Sequence, residues 1–290
     1  MSPSAAAHRA RQAPLVAVAG AAFLVALKAT GAWTTGSLAL GSAALDSLID
    51  VFVSAANFLV LRRAAAPPDA EHAYGHGKFE SLAALGQGLF LAIAAVGLVV
   101  VGVRRLITGG GPRQGIAGMM VLAVSIAVSW AVARHLRSAA AEAGSPVLRA
   151  DSLHYATDLW VNGAALIALG VIQVTGWEAA DPLVALGVAV YVFRSAAGLL
   201  LEAVGDLSDR GLPPEDLERI AAVAAAFHPR VKGMHDLRTR RSGGEIFIEL
   251  HLEIPRETSF LDAHNLTVEV LHAVEKEVPR SKVFVHGDPV

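Results

Sequence analysis

The sequence predicts a membrane protein made of an all-α domain of six transmembrane helices and a small α+β domain on the cytoplasmic side. The chain has 290 residues, of which 54% are hydrophobic and only 17% are charged. Soluble domains carry roughly 25% charged residues, so this composition is typical of a membrane protein. The apolar windows end near residue 204, and after about residue 209 the pattern changes to amphipathic helices and alternating strands.

A helix that crosses a bilayer needs about 20 mostly apolar residues. Six windows meet this requirement: 14–35, 38–61, 82–106, 115–136, 147–174 and 182–204. A tight turn, Thr34-Thr35-Gly36-Ser37, joins the first two windows into a hairpin, and Gly109-Gly110-Gly111-Pro112 separates the third from the fourth. Asp181-Pro182 predicts an N-cap and first-turn pair at the start of the sixth helix.

The C-terminal part predicts the order αββαβ. An amphipathic helix runs from Leu212 to about Phe227. The later elements are strands at 231–239 and 245–254, a helix at 259–278 and a strand at 281–286. This order predicts one sheet with two helices packed on one face. The expected domains are a cytoplasmic N-terminal tail (1–13), the six-helix domain (14–208) and a cytoplasmic αββαβ domain (209–290).

Lysine and arginine are distributed unevenly between the two sides of the predicted helices. The side that holds the N-terminus carries Arg9, Arg11, Arg62, Arg63, Lys78, Arg134, Arg137 and Arg149. The opposite side carries only Arg104, Arg105 and Arg113. The positive-inside rule therefore predicts that both termini are cytoplasmic. The net charge of −2 argues against a nucleic-acid partner, and the absence of cysteine excludes disulfides, thiolate metal sites and cysteine nucleophiles.

Acidic residues and one histidine recur at helical spacing inside two apolar windows. Asp46 and Asp50 share a face of the second helix, which Asn57 continues, and His154 and Asp158 share a face of the fifth. An aspartate near the bilayer centre costs about 2.5–3.5 kcal/mol on insertion scales, so these acids need a compensating role. Side by side, the two helices would offer three carboxylates and one imidazole, which is a metal site.

A structural role is the alternative for these intramembrane residues. Such side chains can hold helices together by hydrogen bonds or reach the membrane surface, but aspartate is too short to do the latter from two turns inside a helix. Two pairs at this spacing favour an ion site instead. Four nitrogen and oxygen ligands suit tetrahedral Zn²⁺ and tolerate Cd²⁺, Fe²⁺ or Mn²⁺, and the histidine favours zinc.

Four motifs resemble those of the cation diffusion facilitator family, and most closely its bacterial YiiP/FieF zinc-transporter branch. They are Ala44-Leu45-Asp46-Ser47-Leu48-Ile49-Asp50, Tyr74-Gly75-His76-Gly77-Lys78, Asp151-Ser152-Leu153-His154-Tyr155-Ala156-Thr157-Asp158 and His235-Asp236-Leu237-Arg238-Thr239-Arg240. The resemblance covers essentially the whole chain. It implies a homodimeric, proton-coupled exporter of divalent metal in a bacterial inner membrane, with a ferredoxin- or metallochaperone-like cytoplasmic domain. By position, it implies the transport-site ligands Asp46, Asp50, His154 and Asp158.

The resemblance also implies two further metal sites. Asp69, His72 and His76 match a loop site that regulates or relays metal, although a solvated loop with incidental histidines would also explain them. The second is a regulatory zinc site of the family's cytoplasmic domain, in which one carboxylate can bridge two ions. The residues that match this site are His235, His251, His264, His286 and Asp288. Individually each of these histidines is more often a surface or core residue than a ligand.

Other charged residues have weaker interpretations. Lys78 and Asp209 match a charge interlock near the membrane surface, for which an exposed ion pair worth about 0–1 kcal/mol is the alternative. Lys28 matches a basic position of the family and could pair with an acid, whereas Arg194 has no explanation. The incidental histidines are His8, His135, His228 and His272.

The expected mechanism is competition between metal and protons for the same ligand atoms. His154 is the natural coupling group, because histidine has an unperturbed pKa of about 6.5.

Three other classes of protein compete with a proton-coupled exporter. A passive cation channel would conduct without proton coupling. An intramembrane metalloprotease needs a general base beside an open metal position, and the sequence contains no His-Glu-x-x-His motif. A metal sensor would need only the C-terminal domain. The resemblance implies a second copy of the chain as a partner. The lipid bilayer and protons are the other expected partners.

Overall fold

A computed structural model describes the backbone of residues 3–36, 38–108 and 116–290. The chain divides into two compact units, Met1–Ala203 and Val204–Val290. The predicted turn at Gly109-Gly110-Gly111-Pro112, the side chain of His8 and residues Met1 and Ser2 of the N-terminal tail lie outside the part that is described.

The first unit is built from helices that are long and apolar enough to cross a membrane. The helices are α1 (Pro3–Thr35), α2 (Leu38–Ala64), α3 (Lys78–Thr108), α4 (Ile116–Ala143), α5 (Pro146–Thr175) and α6 (Ala180–Leu207), the last of which runs into the second unit. Within the described ranges these six helices are the candidate membrane spans. The prediction of a six-helix membrane domain is confirmed.

The helices extend beyond the predicted windows at several ends. α1 begins at Pro3 instead of residue 14, and α4 ends at Ala143 instead of residue 136. Both extensions are rich in alanine, the strongest helix former, which continues a helix where hydropathy alone marks no membrane span. α6 begins at Ala180, so Asp181 lies in its first turn and is not its N-cap. Asp181 instead accepts a hydrogen bond of 2.6 Å from Arg105 Nη1 at the end of α3.

Leucine side chains of α6 lie against glycines of α3, and the two helices are antiparallel. A Cβ atom at Gly88 would lie 3.0 Å from the side chain of Leu200, and one at Gly102 would lie 3.1 Å from Leu186. The two glycines are the same distance apart in sequence as the two leucines, in opposite order, which is the relation expected for antiparallel neighbours. Glycine at both positions therefore makes room for leucine side chains of α6.

The second unit contains α7 (Pro214–Ala225), β1 (Gly233–Ser242), β2 (Glu245–Ile254), α8 (Phe260–Glu277) and β3 (Ser281–Pro289). The sheet order is β1-β2-β3, with β1 antiparallel and β3 parallel to β2. The even-numbered residues of β2, from Ile246 to Ile254, are buried in one core with apolar residues of both helices. His251 and Glu253 alternate with them on the other face. The predicted α+β fold with the order αββαβ is confirmed.

Candidate metal centres

The intramembrane cluster joins α2 to α5. His154 Nε2 lies 2.9 Å from Asp50 Oδ1 and 3.9 Å from Asp158 Oδ2. One ligand atom from each of these three residues lies within 4.8 Å of the other two. His154 is buried, whereas the side chains of Asp50 and Asp158 are partly accessible. The two helices thus bring two carboxylate oxygens and an imidazole nitrogen together at the separation that one metal ion can bridge.

Asp46, the fourth predicted ligand, is outside this group among the described residues. It lies one helical turn before Asp50 and is exposed. Its neighbour Ser47 is buried and accepts a hydrogen bond of 2.7 Å from Lys28 Nζ of α1. Lys28 therefore reaches into the surroundings of the site, while Arg194 is exposed on α6.

Tyr155 positions the helix that carries His154. The Tyr155 side chain is fully buried, and its hydroxyl donates a hydrogen bond of 2.9 Å to the carbonyl oxygen of Ala17 on α1. The same hydroxyl lies 3.2 Å from Ser54 Oγ on α2. Sequence reasoning did not select Tyr155 or Ser54. A tyrosine next to a candidate ligand inside an apolar helix was the available signal, because a buried tyrosine hydroxyl usually has a partner.

The loop between α2 and α3 holds the second cluster. Asp69, His72 and His76 offer ligand atoms within 4.8 Å of one another. Asp69 Oδ2 lies 3.1 Å from His76 Nε2, and the two imidazole rings are 4.5 Å apart between centroids. His76 is buried, yet neither of its ring nitrogens makes a well-aligned hydrogen bond to a described residue. A buried imidazole in this arrangement can act as a metal ligand together with Asp69 and His72.

Backbone hydrogen bonds hold the Asp69 carboxylate in its ionised form. The His72 backbone N–H donates to Asp69 Oδ1 at 2.7 Å, and the Glu71 N–H donates to the same oxygen at 3.1 Å. The bond from the His72 backbone is the main cause that lowers the pKa of Asp69 below its usual value. The carboxylate is therefore available as a metal ligand at every pH at which the histidines are neutral.

Three adjacent strands build the cytoplasmic cluster. His235 of β1 is paired in register with His251 of β2, which is paired with His286 of β3. Asp288 Oδ2 lies 3.2 Å from His235 Nε2 and 2.8 Å from His251 Nδ1. Its other oxygen, Oδ1, lies 3.2 Å from His286 Nε2. The hydrogen bond with His251 is the main cause that lowers the pKa of Asp288. Oδ2 of Asp288 thus faces the imidazoles of His235 and His251, and Oδ1 faces that of His286.

Two residues alter the predicted membership of this cluster. Asp236 forms a group of converging ligand atoms with His235 and His251, and the sequence analysis did not select it. Its φ of +50° lies at the irregularity of the β1–β2 register, which brings its side chain to the face of its neighbour His235. His264 is exposed on α8 and is outside both groups of converging ligand atoms in the described chain.

Asp209, one partner of the predicted interlock, lies 3.7 Å from Arg240 Nη1 within the second unit. Lys78 begins α3 in the first unit. The interlock between Lys78 and Asp209 stays a prediction, because it connects the two units.

Two family profiles together match nearly the whole chain. The profile described as the cation efflux transmembrane domain matches residues 15–208, and the one described as the cation efflux protein, cytoplasmic domain, matches residues 212–290. Cation-efflux pumps named FieF from Klebsiella pneumoniae, Citrobacter koseri and Escherichia coli O127:H6 are each 38% identical over 278 residues, which is 96% of this chain and 92% of the relative.

Solved structures match the C-terminal part. The proposed zinc transporter CzrB in its zinc form is 38% identical over 28% of this chain and 92% of its own, with a TM-score of 0.27. The metal-bound C-terminal domain of the CzcD transporter from Thermotoga maritima is 34% identical over 26% of this chain and 87% of its own, with a TM-score of 0.25.

Proposed function

Because this chain belongs to the cation efflux family of transporters, also known as the cation diffusion facilitators, we propose that it exports a divalent metal ion, chiefly Zn²⁺, in exchange for protons. The chain is an integral membrane transporter and not an enzyme. Its relatives are bacterial, which supports a location in a bacterial inner membrane. The distribution of lysine and arginine supports cytoplasmic positions for both termini.

The observation that carries this proposal is the convergence of Asp50, His154 and Asp158 between two apolar helices. Ionisable residues at this depth are costly and mark ion pathways. The donor set of two carboxylates and an imidazole suits Zn²⁺ and accepts Cd²⁺, Fe²⁺ or Mn²⁺. In the proposed site, Asp46 completes the set from one turn away when α2 moves during transport.

Proton coupling follows from the chemistry of these ligands. Metal requires deprotonated carboxylates and a neutral imidazole, so a bound ion and bound protons exclude each other. Facing the cytoplasm, the site loses protons and takes the ion, and facing a more acidic exterior it regains protons and releases the ion. Alternating access around a fixed site between helices performs the exchange.

The other clusters are proposed to regulate transport. In a homodimer, zinc on His235, His251, His286 and Asp288 would favour one arrangement of the two cytoplasmic domains, with His264 recruited from its exposed position on α8. The three imidazoles and the carboxylate fit zinc chemically, and bound zinc would offset the charge of the carboxylate.

Two further features are proposed near the cytoplasmic mouth of the transporter. Asp69, His72 and His76 would relay metal there, and Lys78 with Asp209 would form the charge interlock.

The test is zinc flux into proteoliposomes under an imposed pH gradient, with native protein, His154→Ala and Asp50→Ala. We expect uphill zinc movement that requires the gradient and is abolished in both variants, while zinc binding by the cytoplasmic domain persists. His135→Ala is the matched control, because His135 lies on α4 outside the described cluster. Zinc movement that ignores the gradient would favour a passive channel, and flux retained in Asp50→Ala would contradict the site.

A further inference from the structure

A group of polar side chains lies on the side of the intramembrane cluster that faces the α2–α3 loop. Its members are Asn57 of α2, Gln87 of α3 and Asp151 of α5, and all three are buried. Gln87 Nε2 donates a hydrogen bond of 3.3 Å to Asp151 Oδ1. The Asn57 side chain lies near the Asp151 carboxylate but makes no well-aligned hydrogen bond to it. We refer to these three residues as the inner polar group.

The inner polar group contains atoms without partners. Asp151 Oδ2, Gln87 Oε1 and Asn57 Nδ2 are buried and make no hydrogen bond within the described part of the chain. Asp151 also forms no ion pair with a lysine or arginine of the described residues. A buried carboxylate with one well-aligned hydrogen bond and no lysine or arginine partner is costly, and such groups usually signal a bound water or ion. Two of the three free atoms are oxygens, which can bind a cation.

The inner polar group lies on a path from the α2–α3 loop to the intramembrane cluster. Asp151 lies three residues before His154, toward the start of α5, and Asn57 lies seven residues after Asp50, toward the end of α2. Gln87 is in the third turn of α3. The end of α2 and the start of α3 are joined by the loop that holds Asp69, His72 and His76. The inner polar group therefore lies between the loop cluster and the intramembrane cluster.

We propose that Asn57, Gln87 and Asp151 form a relay site that binds the divalent cation through the Asp151 carboxylate and the Gln87 amide oxygen before the cation reaches His154. Oxygen ligands bind harder and partly hydrated ions, so the relay site would accept the ion with water still attached. The nitrogen ligand of the intramembrane cluster would then hold zinc more selectively. The relay site rests on the proposed transport function, since it serves the same ion on the same route.

Binding of Mn²⁺ alone, followed by electron paramagnetic resonance, tests the site directly in the full chain. His154→Ala is compared with His154→Ala/Asp151→Asn, so that the two samples differ only in the carboxylate of the relay site. We expect the double variant to lose one bound Mn²⁺ per chain, or to bind that ion about tenfold more weakly. His154→Ala/Gln87→Leu, which removes the amide oxygen at similar volume, should weaken the same ion.

Flux provides the second measurement. Asp151→Asn in an otherwise native chain should raise the zinc concentration for half-maximal flux about tenfold, while Glu178→Gln, an exposed acid between α5 and α6, should leave it unchanged. Equal Mn²⁺ binding in the compared variants would mean that Asp151 holds only water or a proton, and it would overturn the relay site. Native protein that transports no metal would overturn the transport function instead, and the Mn²⁺ comparison would still decide the relay site.

Discussion

At the scale of single residues, the imidazole of His154 gives the intramembrane cluster its one nitrogen ligand. Without His154, the ligands of this cluster would all be oxygens. Its Nε2 lies within reach of both Asp50 and Asp158. Nitrogen ligands suit zinc, whereas sets of carboxylate and water suit harder ions such as Mn²⁺. The choice of metal by this transporter should therefore depend on this one side chain.

We expect His154→Asp to shift transport from zinc toward manganese. The ratio of zinc flux to manganese flux in proteoliposomes should fall about tenfold, because an oxygen ligand replaces the nitrogen ligand. Asp158→Glu is the control, since it moves a carboxylate without changing the type of ligand. An unchanged ratio in His154→Asp would show that the metal preference is set elsewhere.

The loop cluster gives a prediction about pH. Because the backbone N–H of His72 lowers the pKa of Asp69, this carboxylate stays ionised between about pH 7 and pH 5, the interval in which histidine becomes charged. Protonated imidazoles cannot bind metal, so metal affinity should fall as the pH falls. Asp69→Asn should weaken binding throughout the interval, because it removes one of the three candidate ligands.

Cadmium NMR of the full chain measures this binding, and the loop resonance is identified by its loss in His72→Ala. Loop binding that is as strong in Asp69→Asn as in the native chain would contradict the role of Asp69 as an ionised ligand.

The residues that sequence reasoning found share a local signature. Spacing of four along a helix links His154 to Asp158, and proximity in sequence links Asp69, His72 and His76. The residues that it missed act across elements. Tyr155 acts through contacts with α1 and α2, and Asp236 joins its cluster only because the strand is irregular beside it. Such contacts depend on packing that a single sequence does not specify.

At the scale of elements, glycines of α3 make room for leucine side chains of α6. Gly102 lies opposite Leu186, where an added Cβ would come within 3.1 Å of the leucine side chain. Gly97, one and a half turns earlier on α3, has no neighbour within 4 Å of such an atom in the described chain. The two positions share the same helix and residue type but differ in packing.

We expect Gly102→Val to destabilise the membrane domain by about 1–3 kcal/mol, as overpacking of a tight contact usually does. Gly97→Val should change stability much less, although it introduces the same side chain into the same helix. Thermal unfolding of the two variants in detergent measures the difference. Equal unfolding temperatures would contradict the tight packing of Leu186 against Gly102.

The elements were predictable to different degrees. Strict alternation in β2 placed its even-numbered residues in the core, and the structure agrees. The ends of the membrane helices were less predictable, because hydropathy marks the apolar part of a helix, whereas α1 and α4 continue through polar and alanine-rich turns. The glycines opposite α6 carry no sequence signal that separates them from the glycines with open surroundings.

At the scale of the whole molecule, the orientation of the chain decides which side of the membrane the histidines of the α2–α3 loop and of the second unit face. Six crossings place the start of α1 and the second unit on one side, and five crossings place the α5–α6 connection on the other. That connection, 176–179, contains no lysine or arginine, whereas the α2–α3 connection and its helix ends contain Arg62, Arg63 and Lys78. The positive-inside rule assigns the second unit to the cytoplasm.

Single cysteines can test this orientation, because the chain has none of its own. We expect Glu178→Cys to react with a membrane-impermeant maleimide in intact cells and Glu215→Cys, on α7, to react only after the membrane is permeabilised. Both positions are exposed in the structure, so a difference in reactivity reports the side of the membrane and not burial. The opposite pattern would place the three histidines of the cytoplasmic cluster outside the cell. Zinc inside the cell could then not bind to them, which would contradict the proposed regulation by cytoplasmic zinc.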